Sequence, residues 1–158
     1  MTRDSLQYTA LDCLLDELDV SVQQVDADWA SRRRHPRHPF RVDCAVRYLV
    51  PDKEEVVCVP GRTRNLSRSG LAFLARRMFN RDEAVEVEVT PHGRPRTFMA
   101  GLVRFCRYAG QGYHEVGIEL KTVGPRPLFS DNPAQARSMA LEWRRACPQQ
   151  ATTAAEDD

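Results

Sequence analysis

The sequence predicts a mainly β fold, a six-stranded antiparallel β-barrel with an N-terminal helix before it and a C-terminal helix after it. Three observations carry that expectation. Short runs between residues 40 and 121 alternate apolar and polar side chains, the period of a half-buried strand. Turn-forming stretches separate those runs. Apolar residues recur at three- and four-residue steps near the two ends of the chain. A closed barrel is preferred to an open sandwich because closure removes unpaired strand edges.

Residues 5–29 have helical periodicity. Leu11, Leu14, Leu15, Leu18, Val22, Val25 and Trp29 form an apolar stripe with acids between them. Either Ser5 or Thr9 can cap it, and Asp12 three residues after Thr9 resembles a capping box. The stripe is expected to pack on the barrel. Its alternative use is a homodimer seam, since Leu11, Leu18 and Val25 fall at heptad spacing. Helix character ends in residues 31–40, where Pro36 and Pro39 push His35 and His38 into extended geometry. This stretch reads as an exposed, arginine-rich linker.

The strands follow. Phe40, Val42, Cys44, Val46 and Tyr48 alternate with Arg41, Asp43, Ala45 and Arg47. A turn at 51–55 leads to a second strand from Val56 through Gly61 to Arg64, and residues 71–75 make a short apolar third. Val85, Val87 and Val89 alternate with Glu86, Glu88 and Thr90. After a turn at 91–96, residues 97–108 form a long strand in which Gly101 marks a bulge or bend. Gly110 to Gly112 turns the chain into a last strand carrying Val116, Ile118 and Leu120. The C-terminal helix is capped by Asp131 or Asn132, has Pro133 in its first turn, and ends at Pro148. Ala136, Met139, Ala140, Trp143 and Cys147 share one face. The expected organisation is a helical segment at 1–30, the barrel at 31–122, a helical extension at 123–148 and a disordered acidic tail at 149–158.

Composition excludes several classes. At 158 residues, 42% hydrophobic and 28% charged, the chain has ordinary globular proportions. The net charge of +1 conceals a sharp asymmetry: residues 1–28 carry seven acids and Arg3, and residues 32–47 carry six arginines and Asp43. A local basic stretch points to a local anionic partner rather than to a generally basic surface. No apolar run approaches the roughly 18–20 residues of a membrane helix, and no secretory leader pattern opens the chain, so no membrane insertion and a cytoplasmic location are expected. Cys13, Cys44, Cys58, Cys106 and Cys147 contain no CxxC pair and read as reduced thiols. His35, His38, His92 and His114 lack metal-ligand spacing, and there is no nucleophile elbow or carboxylate pair, so no metal site and no catalytic residues are expected.

Two motifs remain. Arg33-Arg34-His35-Pro36-Arg37 is an RxxxR string directly before the first strand. Asn65-Leu66-Ser67-Arg68-Ser69-Gly70 is an NxSxxG string, about 30 residues later, between the second and third strands. In that order and on those strands they resemble the PilZ domain, whose pattern is RxxxR, a strand, then (D/N)xSxxG. Gly61, Leu71, Tyr113 and Gly117 fit the same pattern. The resemblance spans residues 31 to about 122. It implies a six-stranded barrel that binds cyclic di-GMP and carries no catalytic activity and no cofactor.

The resemblance places ligand binding at Arg33, Arg37, Asn65, Ser67 and Gly70, with Arg32 and Arg34 as further candidates. The residue types suit the ligand. A guanidinium fork can meet phosphate oxygens or the O6 and N7 edge of guanine, and can stack on a purine. Asn65 and Ser67 offer short polar groups for a guanine edge or for holding the arginines. Asn65 stands where the family more often has Asp, so it cannot pair ionically with an arginine. Gly70 permits a close backbone approach or a sharp turn. A basic residue at the position of Arg32 favours, by the same resemblance, a stacked pair of ligands. The functional expectation is a receptor whose linker orders on ligand and repositions the N-terminal helix for a downstream protein partner. The alternatives are a PilZ-like protein–protein interaction module without nucleotide binding, and a nucleic-acid binder using the arginine linker. The arrangement favours cyclic di-GMP over nucleic acid.

Overall fold

A computed structural model of the chain describes residues 36–50, 52–53, 55–91 and 93–146. The expected N-terminal helix, Arg32, Arg33, Arg34, Cys147 and the acidic tail lie outside the described residues.

Seven strands and one helix follow in order: β1 (His38–Pro39), β2 (Asp43–Leu49), β3 (Val56–Leu66), β4 (Gly70–Ala75), β5 (Ala84–Val89), β6 (Thr97–Gly110), β7 (Tyr113–Gly124) and α1 (Pro133–Arg145). All pairings are antiparallel. The sheet runs β3-β2-β5-β6-β7-β4, and β4 pairs back onto β3, so β2 to β7 form a closed six-stranded barrel. Closure works because β3 is long enough to be shared. Its residues 56–62 pair with β2, and its residues 61–66 pair with β4 on the opposite edge.

Several boundaries differ from the expectation, three of them at or near the ends of the barrel. The first barrel strand begins at Asp43 rather than Phe40. Pro39 and His38 form the separate strand β1, paired with Asn65 and Leu66, so this half of the linker is tied to the barrel. Two residues are too few to show a period, which is why the pairing left no pattern in the sequence. The last strand continues to Gly124, past residue 122.

Inward-facing residues fill the barrel: Val46, Phe73, Val85, Val87, Val103, Val116 and Ile118 are among those with almost no exposure. Their neighbours along the strands face outward. On β5 and β6 the outward Ala84, Ala100 and Leu102 are covered by Phe129, Ala136 and Ala140, which seats α1 on the outside of the barrel. Of the two capping candidates, the Asn132 side chain accepts the Gln135 N–H at 3.1 Å. The approach to the helix is fastened by Glu86 on β5, whose carboxylate accepts the N–H groups of Leu128 (2.6 Å) and Phe129 (3.2 Å). Burial pushes the Glu86 carboxyl up from its ordinary range, opposed by those two hydrogen bonds and by the nearby Arg47 charge. Burial also pushes the Cys44 thiol up, leaving it a packing residue of the core.

Gly101 sits at a register shift on β6, as its position in the long strand suggested. A Cβ there would lie 1.8 Å from the Glu119 carbonyl oxygen on β7. Backbone cannot yield as a side-chain tip can. Gly101→Ala is therefore expected to destabilise the barrel by about 3 kcal/mol, the upper end of overpacking costs, read as a lowered urea midpoint; an unchanged midpoint contradicts the packing described here.

Candidate functional site

The β3–β4 connection is built around one hydroxyl. Ser67 Oγ accepts the N–H of Gly70 at 3.1 Å and of Ser69 at 3.3 Å, and the Ser67 N–H donates to the Gly70 carbonyl at 2.9 Å. These bonds hold a tight turn whose carbonyl at Ser69 accepts the Leu120 N–H from β7. Ser67 thus shapes the turn as well as lining the space beside it. Gly70 allows a close approach, since a Cβ would lie a tight 3.1 Å from the Ile118 carbonyl.

Pairing brings the last residue of the other motif to the same place. Pro39 lies opposite Asn65 and His38 opposite Leu66, so the chain direction delivers exposed Arg37 beside Ser67. Arg37, Asn65, Ser67 and Gly70 together line one cavity of about 510 Å³ on the outer barrel wall. Of the expected ligand residues, these four are brought together; Arg32, Arg33 and Arg34 are outside the described residues.

The rest of the lining was not expected to bind ligand, although Leu71 and Gly117 fit the sequence pattern. Ala72 and Gly117 lie opposite each other on β4 and β7, Phe105 lies over Gly117, and Arg104 and Glu119 stand beside them. Arg104 and Phe105 reach the same face through a bulge. The β6–β7 register shifts between Val103 and Phe105, which breaks the strict alternation of sides. Phe105 then lies opposite Gly117, with its ring where a Cβ would be, at 2.1 Å. The Arg107 guanidinium stands 5.4 Å from the centre of that ring. A signal for this was present: the adjacent polar–aromatic pair Arg104-Phe105 interrupts the period of two between Val103 and Cys106.

Two ion networks border this wall. On one side Glu115, almost fully buried, accepts from Arg64, itself buried, and from Arg107 Nε at 2.6 Å. On the other side Glu119 accepts from Arg104 Nε at 2.6 Å and Lys121 Nζ at 2.8 Å, and Arg104 also reaches Asp82 at 3.0 Å. Burial alone would raise the Glu119 carboxyl. The hydrogen bonds and charges of Lys121 and Arg104 outweigh it and hold the group below the ordinary carboxylate range. Glu119, the one carboxylate among the described residues that line the cavity, is therefore ionised and neutralised by its neighbours. What remains is a shallow polar–apolar surface with guanidinium groups at its margin, suited to a flat, anionic ligand.

The family model described as the PilZ domain matches residues 31–128, more than half of the chain. No curated protein matches. Among solved structures, the chain is similar to the Bacillus subtilis inhibitor of motility, MotI/DgrA, at 12% identity and a TM-score of 0.44. That alignment covers 74% of this chain and 53% of the other, so the chain spans about half the length of MotI/DgrA.

Gly117 and Gly101 differ in what a methyl would strike. At Gly117 it meets the Phe105 ring, which can swing away, rather than backbone. Gly117→Ala is expected to displace that ring and reshape the wall while lowering stability by only about 1 kcal/mol. The aromatic proton shifts of Phe105, followed with urea unfolding, check it: an unmoved ring contradicts the contact.

Proposed function

The chain belongs to the PilZ domain family, generally a family of cyclic di-GMP receptors, and from that premise we propose that it is itself a receptor for this dinucleotide. The observation that carries the reading is the convergence of Arg37 with Asn65, Ser67 and Gly70 on one cavity, from two motifs about 30 residues apart. The volume of about 510 Å³ falls within the usual range of small-ligand clefts.

In this reading Arg37 donates to a phosphate or to the O6 and N7 edge of a guanine, and Arg33 completes the pair from the adjoining linker. A purine lies against the Phe105 ring, which covers Gly117, between Arg37 and Arg104 on the cavity wall. Phe105 offers an edge or face to the base and Arg104 a second guanidinium. The Asn65 amide supplies a neutral polar contact in place of the family's more frequent carboxylate.

Titration calorimetry tests the site. The intact chain is expected to bind cyclic di-GMP and to discriminate against cyclic di-AMP and linear GMP. Arg37→Ala is expected to weaken binding roughly 10- to 100-fold, the loss of one charge-assisted contact. A flat titration of the intact chain removes the receptor reading and leaves the interaction module. Full affinity in the variant removes the assignment of Arg37.

The signal passes through the linker. Arg37 is one residue from β1 and continuous with the acidic N-terminal segment, so ligand that holds the arginines also restrains that segment for a partner to read. Ligand shifts that equilibrium only by its differential affinity for the two arrangements. Hydrogen exchange over residues 10–40 is expected to slow on addition of cyclic di-GMP, and an unchanged profile contradicts the coupling.

A further inference from the structure

β1 and β2 both run along the same edge of β3, but in different registers. His38 and Pro39 pair with Leu66 and Asn65, whereas Asp43 pairs with Arg62. The residue numbers of each pair sum to 104 in the first case and 105 in the second, so the edge carries one extra residue between the strands. That is a β-bulge, and it changes the direction in which the linker leaves the barrel.

A bulge interrupts the ladder and would leave backbone groups without partners. Here one side chain supplies them. The Thr63 hydroxyl donates to the Phe40 carbonyl at 2.5 Å and accepts the Val42 N–H at 2.8 Å. The Thr63 N–H donates to the Val42 carbonyl at 2.9 Å, and the Phe40 N–H donates to the Arg64 carbonyl at 3.0 Å. Every N–H and C=O of Phe40 and Val42 is thereby satisfied, two of the four by a single oxygen. Thr63 has no exposure and is absent from the cavity wall, so it cannot touch a ligand there.

We infer that Thr63 is a positioning residue for the ligand site: its hydroxyl pins the bulge that aims Arg37 at the Ser67 turn. The inference rests on the receptor reading, because it assigns Thr63 a part in the same site. Valine keeps the shape of threonine and removes the hydroxyl. In Thr63→Val the Phe40 carbonyl and Val42 N–H lose their partner, so the bulge relaxes and Arg37 no longer has a fixed approach.

The full-length chain and three variants, Thr63→Val, Thr63→Ser and Arg37→Ala, with the Thr63→Val/Arg37→Ala double variant, decide the matter. Thr63→Val is expected to bind cyclic di-GMP about tenfold more weakly, and Thr63→Ser, which restores the hydroxyl, within about twofold of the unaltered chain. In the Arg37→Ala background Thr63→Val should cause a clearly smaller further loss, because one of the two linker arginines it positions is gone. A purely structural contribution would weaken both backgrounds equally. That outcome, or full affinity in Thr63→Val, overturns the inference. Thr63→Ala serves in its place should the valine variant fail to fold. Absence of cyclic di-GMP binding by the unaltered chain would sink the receptor reading instead. The Val42 amide then decides the pin by itself: faster hydrogen exchange in Thr63→Val supports it, and an unchanged rate overturns it.

Discussion

The arrangement depends on one strand being shared three ways. β3 gives its first half to β2, its second half to β4, and the far end of its β2-side edge to β1. The pairing with β4 closes the barrel, and closure leaves no unpaired edge along the six main strands. The pairing with β1 uses the same residues, Asn65 and Leu66, that open the NxSxxG turn. One segment of backbone thus closes the fold and draws Arg37 to the site.

Side chains on the outer wall then divide the labour. The absence of a side chain at Gly117 lets the Phe105 ring lie flat against the wall beside Ala72. Charged residues stand at its borders in paired sets rather than singly. The buried Arg64–Glu115 pair is not in itself strong support for stability, since desolvation offsets much of the attraction. Its effect is better described as specification: Glu115 can be buried only with its arginines in place, so the pair favours one register of β3, β4 and β7 over its neighbours. Glu119 is held in the same manner by Arg104 and Lys121, which keeps its charge paired at the cavity wall.

Much of this was legible in the residues. Alternation of Val85, Val87 and Val89 with Glu86 and Glu88 specified a strand with one dry face, and β5 is that strand. Asn132 and Pro133 marked the helix start. Gly101 marked an irregularity in the long strand. Other features left no such trace. β1 is two residues long, and Glu86, which alternation assigned to a wet face, is buried because the segment before α1 covers it. Side-chain pattern records which residues share a face of a strand, not what later packs against that face.

The same limit separates the two halves of the candidate site. By itself the sequence determined the strand pattern, the order of the two motifs and the residue types Arg37, Asn65, Ser67 and Gly70, because these are local: each is read within a few residues along the chain. Only the tertiary structure decided that Arg104, Phe105, Gly117 and Glu119 complete the wall, and that Thr63 sits behind the linker. Those residues meet through strand register and bulges, and a slip of one residue moves a side chain to the opposite face. A period of two is unchanged by such a slip, so register is set by how the whole barrel closes.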